Sequence, residues 1–211
     1  MFQLKTARGH TLIELMIGLA IMGSLLAIGI PSMSNWMLSN RARSASDFYA
    51  EGLGLARRQA IVHNARSRLV LSPNLDNGQL DWQVDICFPT PNTPCNAGIG
   101  AWSTVDAAAQ GDPEGAGGFK SVFRSSQALP NSSVLLPSVL PEGSSAVYFT
   151  ELGWVDTTID GHLSRIRLMP ATGYEKSVPD VAVVVTLAGM ASKCDPTKTG
   201  TDSRACPAIA Q

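Results

Sequence analysis

The feature that most constrains this chain is an apolar run at its beginning. Leu12–Ile30 reads LIELMIGLAIMGSLLAIGI; a short basic leader, MFQLKTARG, precedes it and Pro31 closes it. These nineteen residues make about 28 Å of helix, just enough for a hydrocarbon core of ~30 Å. An ordinary secretory signal is cut after its apolar region, among small residues. Here the small residue, Gly9, stands before the run. Cutting at Gly9 would leave the apolar segment on the mature chain. Lys5 and Arg8 lie on the leader side, so the positive-inside rule puts the N-terminus in the cytoplasm and the rest outside. One carboxylate, Glu14, sits near the start of the run. A charge in lipid costs on the order of 3 kcal/mol on insertion scales and marks function.

Gly9, then an apolar stretch carrying Thr11, Leu12, Ile13, Glu14 and Leu15, resembles the start of type IV pilin-like proteins. In that family a prepilin peptidase cuts after a glycine and the new N-terminus is methylated. The resemblance implies cleavage at Gly9 and methylation at His10, a position where the family usually has Phe. It implies that Glu14 pairs with the N-terminal amine of a neighbouring subunit during assembly. Two charges that are each unfavourable in lipid are less so as a pair. The alternative is that Glu14 merely snorkels to the headgroups from the helix end. Pilins commonly carry a proline where Pro31 stands, and proline is expected to kink or locally melt the helix. Gly23/Ala27 and Ala20/Ser24 are small-xxx-small pairs suited to close helix packing, though ordinary membrane composition explains them equally well.

Beyond the run, residues 32 to about 65 read as the amphipathic half of one long helix. Ala45, Phe48, Tyr49, Leu53, Ala56, Ala60 and His63 recur at helical spacing, with Arg41, Asp47, Arg57 and Arg58 largely elsewhere. The stretch from Leu55 to Leu71, LARRQAIVHNARSRLVL, looks like the GspH/FimT subgroup of these proteins, where such a helix end runs into a first strand. Charge is uneven: net +4 over 32–68 and net −6 over 69–211. The basic stretch suits lipid headgroups, nucleic acid or acidic neighbours, or is simply a solvated face.

Strand signals occur at 67–72, 80–87, 118–124, 133–136, 146–150, 163–169 and 181–187. Asn77-Gly78 marks a hairpin turn. Residues 89–118 read as loop, and the tail from Ser192 as polar and irregular. One helix succeeded only by strands implies an α+β fold, with the long helix packed on an antiparallel, pilin-like head. The expected organisation is a leader over 1–9, a membrane and assembly helix over 10–31, an amphipathic half over 32–66, a β-rich head over 67–191, and a disulfide loop and tail over 192–211. Four cysteines, an even count in the exported part, imply disulfides. Local pairing as Cys87–Cys95 and Cys194–Cys206 is the expected connectivity of the three possible. The second loop resembles the C-terminal disulfide loop of many pilins. Zinc is disfavoured because the pairs are far apart and no His lies near them.

No nucleophile elbow, zincin or P-loop motif occurs in the sequence. His10, His63 and His162 are scattered. Asp156 and Asp160-Gly161 carry oxygens that calcium favours, but lack the full calcium-loop pattern and read as a hairpin turn. Trp36, Trp82, Trp102 and Trp154 read as core, interface or membrane-edge residues. No catalytic residue, metal or cofactor is expected. The resemblance implies a structural subunit: a minor type IV pilin, made in the inner membrane with a single span and a periplasmic head, then moved into a filament. Its partners would be the prepilin peptidase, an inner-membrane assembly platform and other minor and major pilins. An H-type minor pseudopilin of a type II secretion system is the alternative. A DNA-binding minor pilin is a third reading, because some FimT-like proteins bind DNA through a G-R-x-R-like stretch near the C-terminus. The corresponding place here, Gly189–Cys194, lacks the arginines. The candidate nucleic-acid contacts are Arg57, Arg58, Arg66, Arg68, Lys193, Lys198 and Arg204, and DNA is not the expected partner.

Overall fold

The structure is a computed structural model that describes residues 11–207. Its spine is one helix, α1, Leu12–His63. Thr11 caps it, its Oγ1 accepting from the Glu14 N–H at 3.3 Å, as short hydroxyl side chains do at helix starts. Asn64 ends it in the left-handed region, φ 46°, with its N–H turned back to the Ala60 and Ile61 carbonyls. Asn tolerates that conformation better than most residues. The helical backbone continues through position 31, so of the two expectations for Pro31, a kink or a local melting, the melting does not occur.

Eight strands complete the fold: β1 Arg66–Pro73, β2 Leu80–Cys87, β3 Val122–Arg124, β4 Leu135–Leu140, β5 Ala146–Phe149, β6 Arg165–Pro170, β7 Val181–Val185 and β8 Ala191–Cys194. The fold is α+β and every strand pairing is antiparallel, but the head holds two four-stranded sheets, ordered β3-β2-β1-β5 and β4-β6-β7-β8. Leu163 and Ser164 join them: the Leu163 N–H donates to Ala146 of the first sheet, the Ser164 N–H to Leu140 of the second.

Several strand limits differ from the sequence pattern, for local reasons. β3 begins only at Val122 because the Phe119 N–H is taken by the Asp112 carboxylate and the Ser121 N–H by the Thr104 carbonyl. β4 starts late because Val134 and Leu135 turn back onto the Asn131 carbonyl. β7 stops at Val185 because Thr186–Met190 closes a turn. The largest correction is β8. Residues from Ser192 read as irregular tail, yet Ala191–Cys194 pairs with β7 from Val185↔Ala191 to Ala182↔Cys194.

The C-terminal half of α1 lies in the seam between the sheets. Ala42, Ala45, Tyr49, Leu53, Ala56 and Ala60 are fully buried, against Leu69, Trp82, Val147, Phe149 and Val183. A Cβ added to Gly52 would come within 2.8 Å of Leu69 Cδ1 and 2.9 Å of the Trp82 ring. Glycine in mid-helix costs propensity; here it lets the helix lie close to β1 and β2. Three hydrogen bonds join the helix to the first sheet across the seam. The Trp82 indole N–H donates to the Phe48 carbonyl, Ser67 Oγ to the Ala56 carbonyl, and the Leu80 N–H to Tyr49 Oη. Burial pushes the Tyr49 hydroxyl well above its ordinary pKa.

Candidate assembly surface and prepilin signal

Gly9 and His10 lie outside the described residues. From Leu12 to Met37 the described apolar side chains of α1 are exposed, from Leu12 at 78% to Met37 at 44%. A soluble head buries such residues because each is worth roughly 1.5–3 kcal/mol; here half a helix leaves them bare. Among the described residues no helix is long and apolar enough to cross a membrane. Glu14, in the first turn, is exposed among Leu12, Ile13, Leu15 and Met16.

The two cysteine pairs are closed, Cys87–Cys95 with S–S 2.02 Å and Cys194–Cys206 with S–S 2.04 Å. Cys194 is the last residue of β8, so the second bridge anchors the C-terminal loop to the edge of its sheet.

The arginines and lysines singled out as nucleic-acid candidates are largely engaged. Arg66 Nη1 meets Asp156 at 2.7 Å, and its Nε meets Glu151 at 3.4 Å. Arg68 Nε meets the buried Asp85 at 2.8 Å, and its guanidinium lies 4.3 Å from the Trp102 ring centroid. Lys193 on β8 pairs with Asp47 of the helix at 2.5 Å, while Arg204 pairs with Asp202 at 3.0 Å. Lys198 stands near Asp195 and Asp202, whose carboxyls are held low chiefly by hydrogen bonds from Thr197 and Arg204 respectively. Arg57 donates from Nε to the Gly153 and Ala188 carbonyls, both at 3.3 Å. Arg58 is exposed, with no ion pair among the described residues. Asp156 accepts from Arg66 and from Thr158. Among the described residues no group of three or more His, Cys, Asp or Glu side chains could hold a metal ion. The histidines stay apart: His63 packs near the Phe119 ring at 5.3 Å, and His162 Nδ1 lies 3.1 Å from the Ile159 carbonyl.

Residues 4–30 match the family model of the prokaryotic N-terminal methylation motif. The motif is a type IV pilin-like prepilin signal, and it supports a pilin-like or pseudopilin-type protein. No curated protein and no solved structure matches the chain. The prepilin signal implies processing by a prepilin peptidase and assembly with other pilins. Two contributions to the head escaped the sequence. One is Arg57 as a clasp between the loops after β5 and β7. The other is the pair of ion bridges, Asp47–Lys193 and Glu51–Arg124, that tie α1 to an edge strand of each sheet. No local pattern announces a contact between residues so distant along the chain.

Proposed function

We propose that this chain is a minor type IV pilin, a structural subunit that helps initiate or prime a filament. The observation that carries this reading is the prepilin signal at 4–30 running into a helix whose N-terminal half is bare and apolar while its C-terminal half is buried in a head. Cleavage after Gly9 would free the His10 amine for methylation. The apolar half would hold the chain in the inner membrane, head outward, until its helix moves into a filament core. There Glu14 would neutralise the amine of an adjacent subunit, and both charges would leave lipid together. The subunit would work by packing, without a catalytic residue, metal or cofactor.

The H-type pseudopilin reading rests on the same signal, and it differs in the machine served. Neighbouring genes separate the two: pilus genes against secretion genes. Duplex DNA is a poorer partner. Affinity for DNA comes from uncompensated cations facing phosphates, and Arg66, Arg68, Lys193 and Arg204 each face a carboxylate. The test is deletion of the chain and then complementation. A priming subunit is expected at a few copies per sheared filament, with filament number falling sharply when it is lost. Normal filament number in the deletion strain, with the chain absent from sheared material, would overturn the reading.

A further inference from the structure

The bare apolar surface of α1 does not end at Ile30. Trp36 is 64% exposed, and Met33 and Met37 stay exposed beside it, so the uncovered side chains run about 10 Å further along the helix axis. Tryptophan favours the boundary between hydrocarbon and headgroups. The head reaches down to the same level. Ser177 Oγ donates to Asn35 Oδ1 at 3.0 Å, which brings the loop between β6 and β7 beside Trp36. Turns of its own hold that loop in shape. The Tyr174 N–H donates to the Ala171 carbonyl, and the Ser177 and Val178 N–H groups donate to the Tyr174 carbonyl. Lys176, next to Ser177, is exposed.

Two more cations stand just above. Arg41 and Arg43 are exposed and lie on either side of buried Ala42, each about 100° round the helix from it. Helical side chains lean toward the N-terminus and cover the turn before their own Cα, so both guanidinium groups can reach back toward the level of Trp36 and Met37. Arg41, Arg43 and Lys176 have no ion pair among the described residues. The carboxylates near them are mostly engaged. Asp180, in the same loop, accepts from Arg167 Nε at 3.1 Å and from its Nη2. Asp47 faces Lys193. Glu175 Oε2 accepts from the Gly173 N–H at 2.9 Å, and it alone is left to set against the three cations. Asp76 belongs to the β1–β2 turn, whose Leu80 N–H meets Tyr49, about 21 Å beyond Asn35 along the helix axis. In the C-terminal loop Asp195 accepts from Thr197, and Asp202 from Arg204. The base therefore keeps a positive surplus. Cations beside the outer end of a span run against the positive-inside trend, so their place calls for an anion outside the chain.

We propose that Arg41, Arg43 and Lys176 seat the phosphate groups of anionic phospholipids in the outer leaflet, so that the head rests on lipid charge until the subunit leaves the bilayer. This rests on the pilin-like reading, which puts the apolar half in the membrane and the head outside. Guanidinium groups bind phosphate oxygens in pairs, and an ammonium binds them as a point charge. Each cation close to an anionic surface strengthens binding roughly fivefold. A zwitterionic lipid carries its own cation beside the same phosphate, so the positive surplus of the base tells the two lipid classes apart.

The test takes the processed chain from its own cells into vesicles of phosphatidylglycerol and phosphatidylcholine in equal amounts, at low ionic strength. The chain is then extracted in mild detergent, and the lipids it retains are counted by mass spectrometry. Phosphatidylglycerol is expected in roughly tenfold excess. The excess disappears in the triple variant Arg41→Gln, Arg43→Gln, Lys176→Gln, while both disulfides still form. Arg41→Lys with Arg43→Lys keeps most of it. Arg58→Gln, which removes an exposed cation further along the same helix, keeps all of it. Equal retention of the two lipids by the wild-type chain overturns the proposal. So does an excess that survives in the triple variant, or one that Arg58→Gln removes as fully. Release of the lipid by inorganic phosphate would make this a site for free anions, and release by a short duplex DNA would make it one for nucleic acid; either overturns the proposal. A chain recovered uncleaved, or one that enters neither kind of lipid, overturns the pilin-like reading itself and the proposal with it.

Discussion

The two halves of α1 share one backbone and differ in everything around it. Leu25, in the first half, is 66% exposed; Leu53, in the second, is fully buried. The first half leaves its described apolar side chains exposed, and the head covers none of them. The second half is apolar along one stripe, and the head's two sheets close over that stripe. The lesson is one of ownership. The second half finds its partners inside the chain, and the first leaves its apolar side chains to the partners proposed above. Changes in the first half should therefore alter processing and assembly while leaving the head folded. Changes in the second should do the reverse.

The sharpest break is at the leader. Gly9→Val should abolish cleavage, because the peptidase needs a small residue there, and leave full-length precursor with an intact head. N-terminal sequencing reads this directly, and a wild-type mature chain that starts anywhere but His10 removes the premise. Next is Glu14→Ala. Membrane insertion, cleavage and both disulfides should survive, while incorporation into filaments falls by about tenfold or more if an ion pair worth over 1.4 kcal/mol is lost in lipid. Incorporation at the wild-type level would mean that Glu14 only snorkels.

Leu53→Ala probes the other half. Leu53 packs in the seam with no exposure, so its truncation should cost the head roughly 2–5 kcal/mol. Leu25→Ala should leave head stability within about 0.5 kcal/mol, as surface substitutions do. Thermal unfolding of the detergent-solubilised chain, monitored by near-ultraviolet circular dichroism, measures both. Equal losses from the two variants would show that the halves are not independent, and the comparison would fail.

The contrast between the halves was legible in the residues because it is local. An unbroken apolar run and a 3–4 periodicity are visible without tertiary contacts, and so is β2, whose limits Leu80–Cys87 match its apolar pattern. The division into two sheets was not, because registers such as Leu69↔Val84 and Ile166↔Val183 arise between distant segments. β8 was missed for a related reason. Ser192 and Lys193 look like tail until β7 supplies backbone partners and Asp47 a charge. The arginines left more than one reading open. A positive stretch suggests an outside ligand, and only the fold reveals the internal carboxylates facing Arg66 and Arg68.

The smallest expected effect lies within the head, where two aspartates with lowered pKa values do different work. Burial pushes the Asp81 carboxyl up, but hydrogen bonds outweigh it. Its Oδ1 accepts from the Ser126 N–H at 2.6 Å, Ser126 Oγ at 2.7 Å and Asn74 Nδ2 at 2.9 Å, and so clamps the β1–β2 turn to the chain after β3. Asp202, in the C-terminal loop, is brought down to about 2 by its hydrogen bonds from Arg204, a bond in solvent that joins residues two apart. A carboxylate whose folded pKa is depressed stabilises fully above its unfolded value, near 3.9 for Asp, and loses that contribution as pH falls through the folded value. Asp81→Asn should therefore cost about 1–2 kcal/mol at pH 7, the scale of a charge-assisted hydrogen bond. The gap from wild type should start to close as the pH falls through about 3.9, where Asp81 of the unfolded chain takes up a proton, and vanish only below its depressed folded value. Asp202→Asn should leave the unfolding midpoint unchanged at either pH, because solvent screens that pair. Denaturant titration of the three proteins at several pH values decides it. A constant Asp81→Asn gap down to pH 2 would mean that the loss is one of shape and that charge contributes nothing to the clamp.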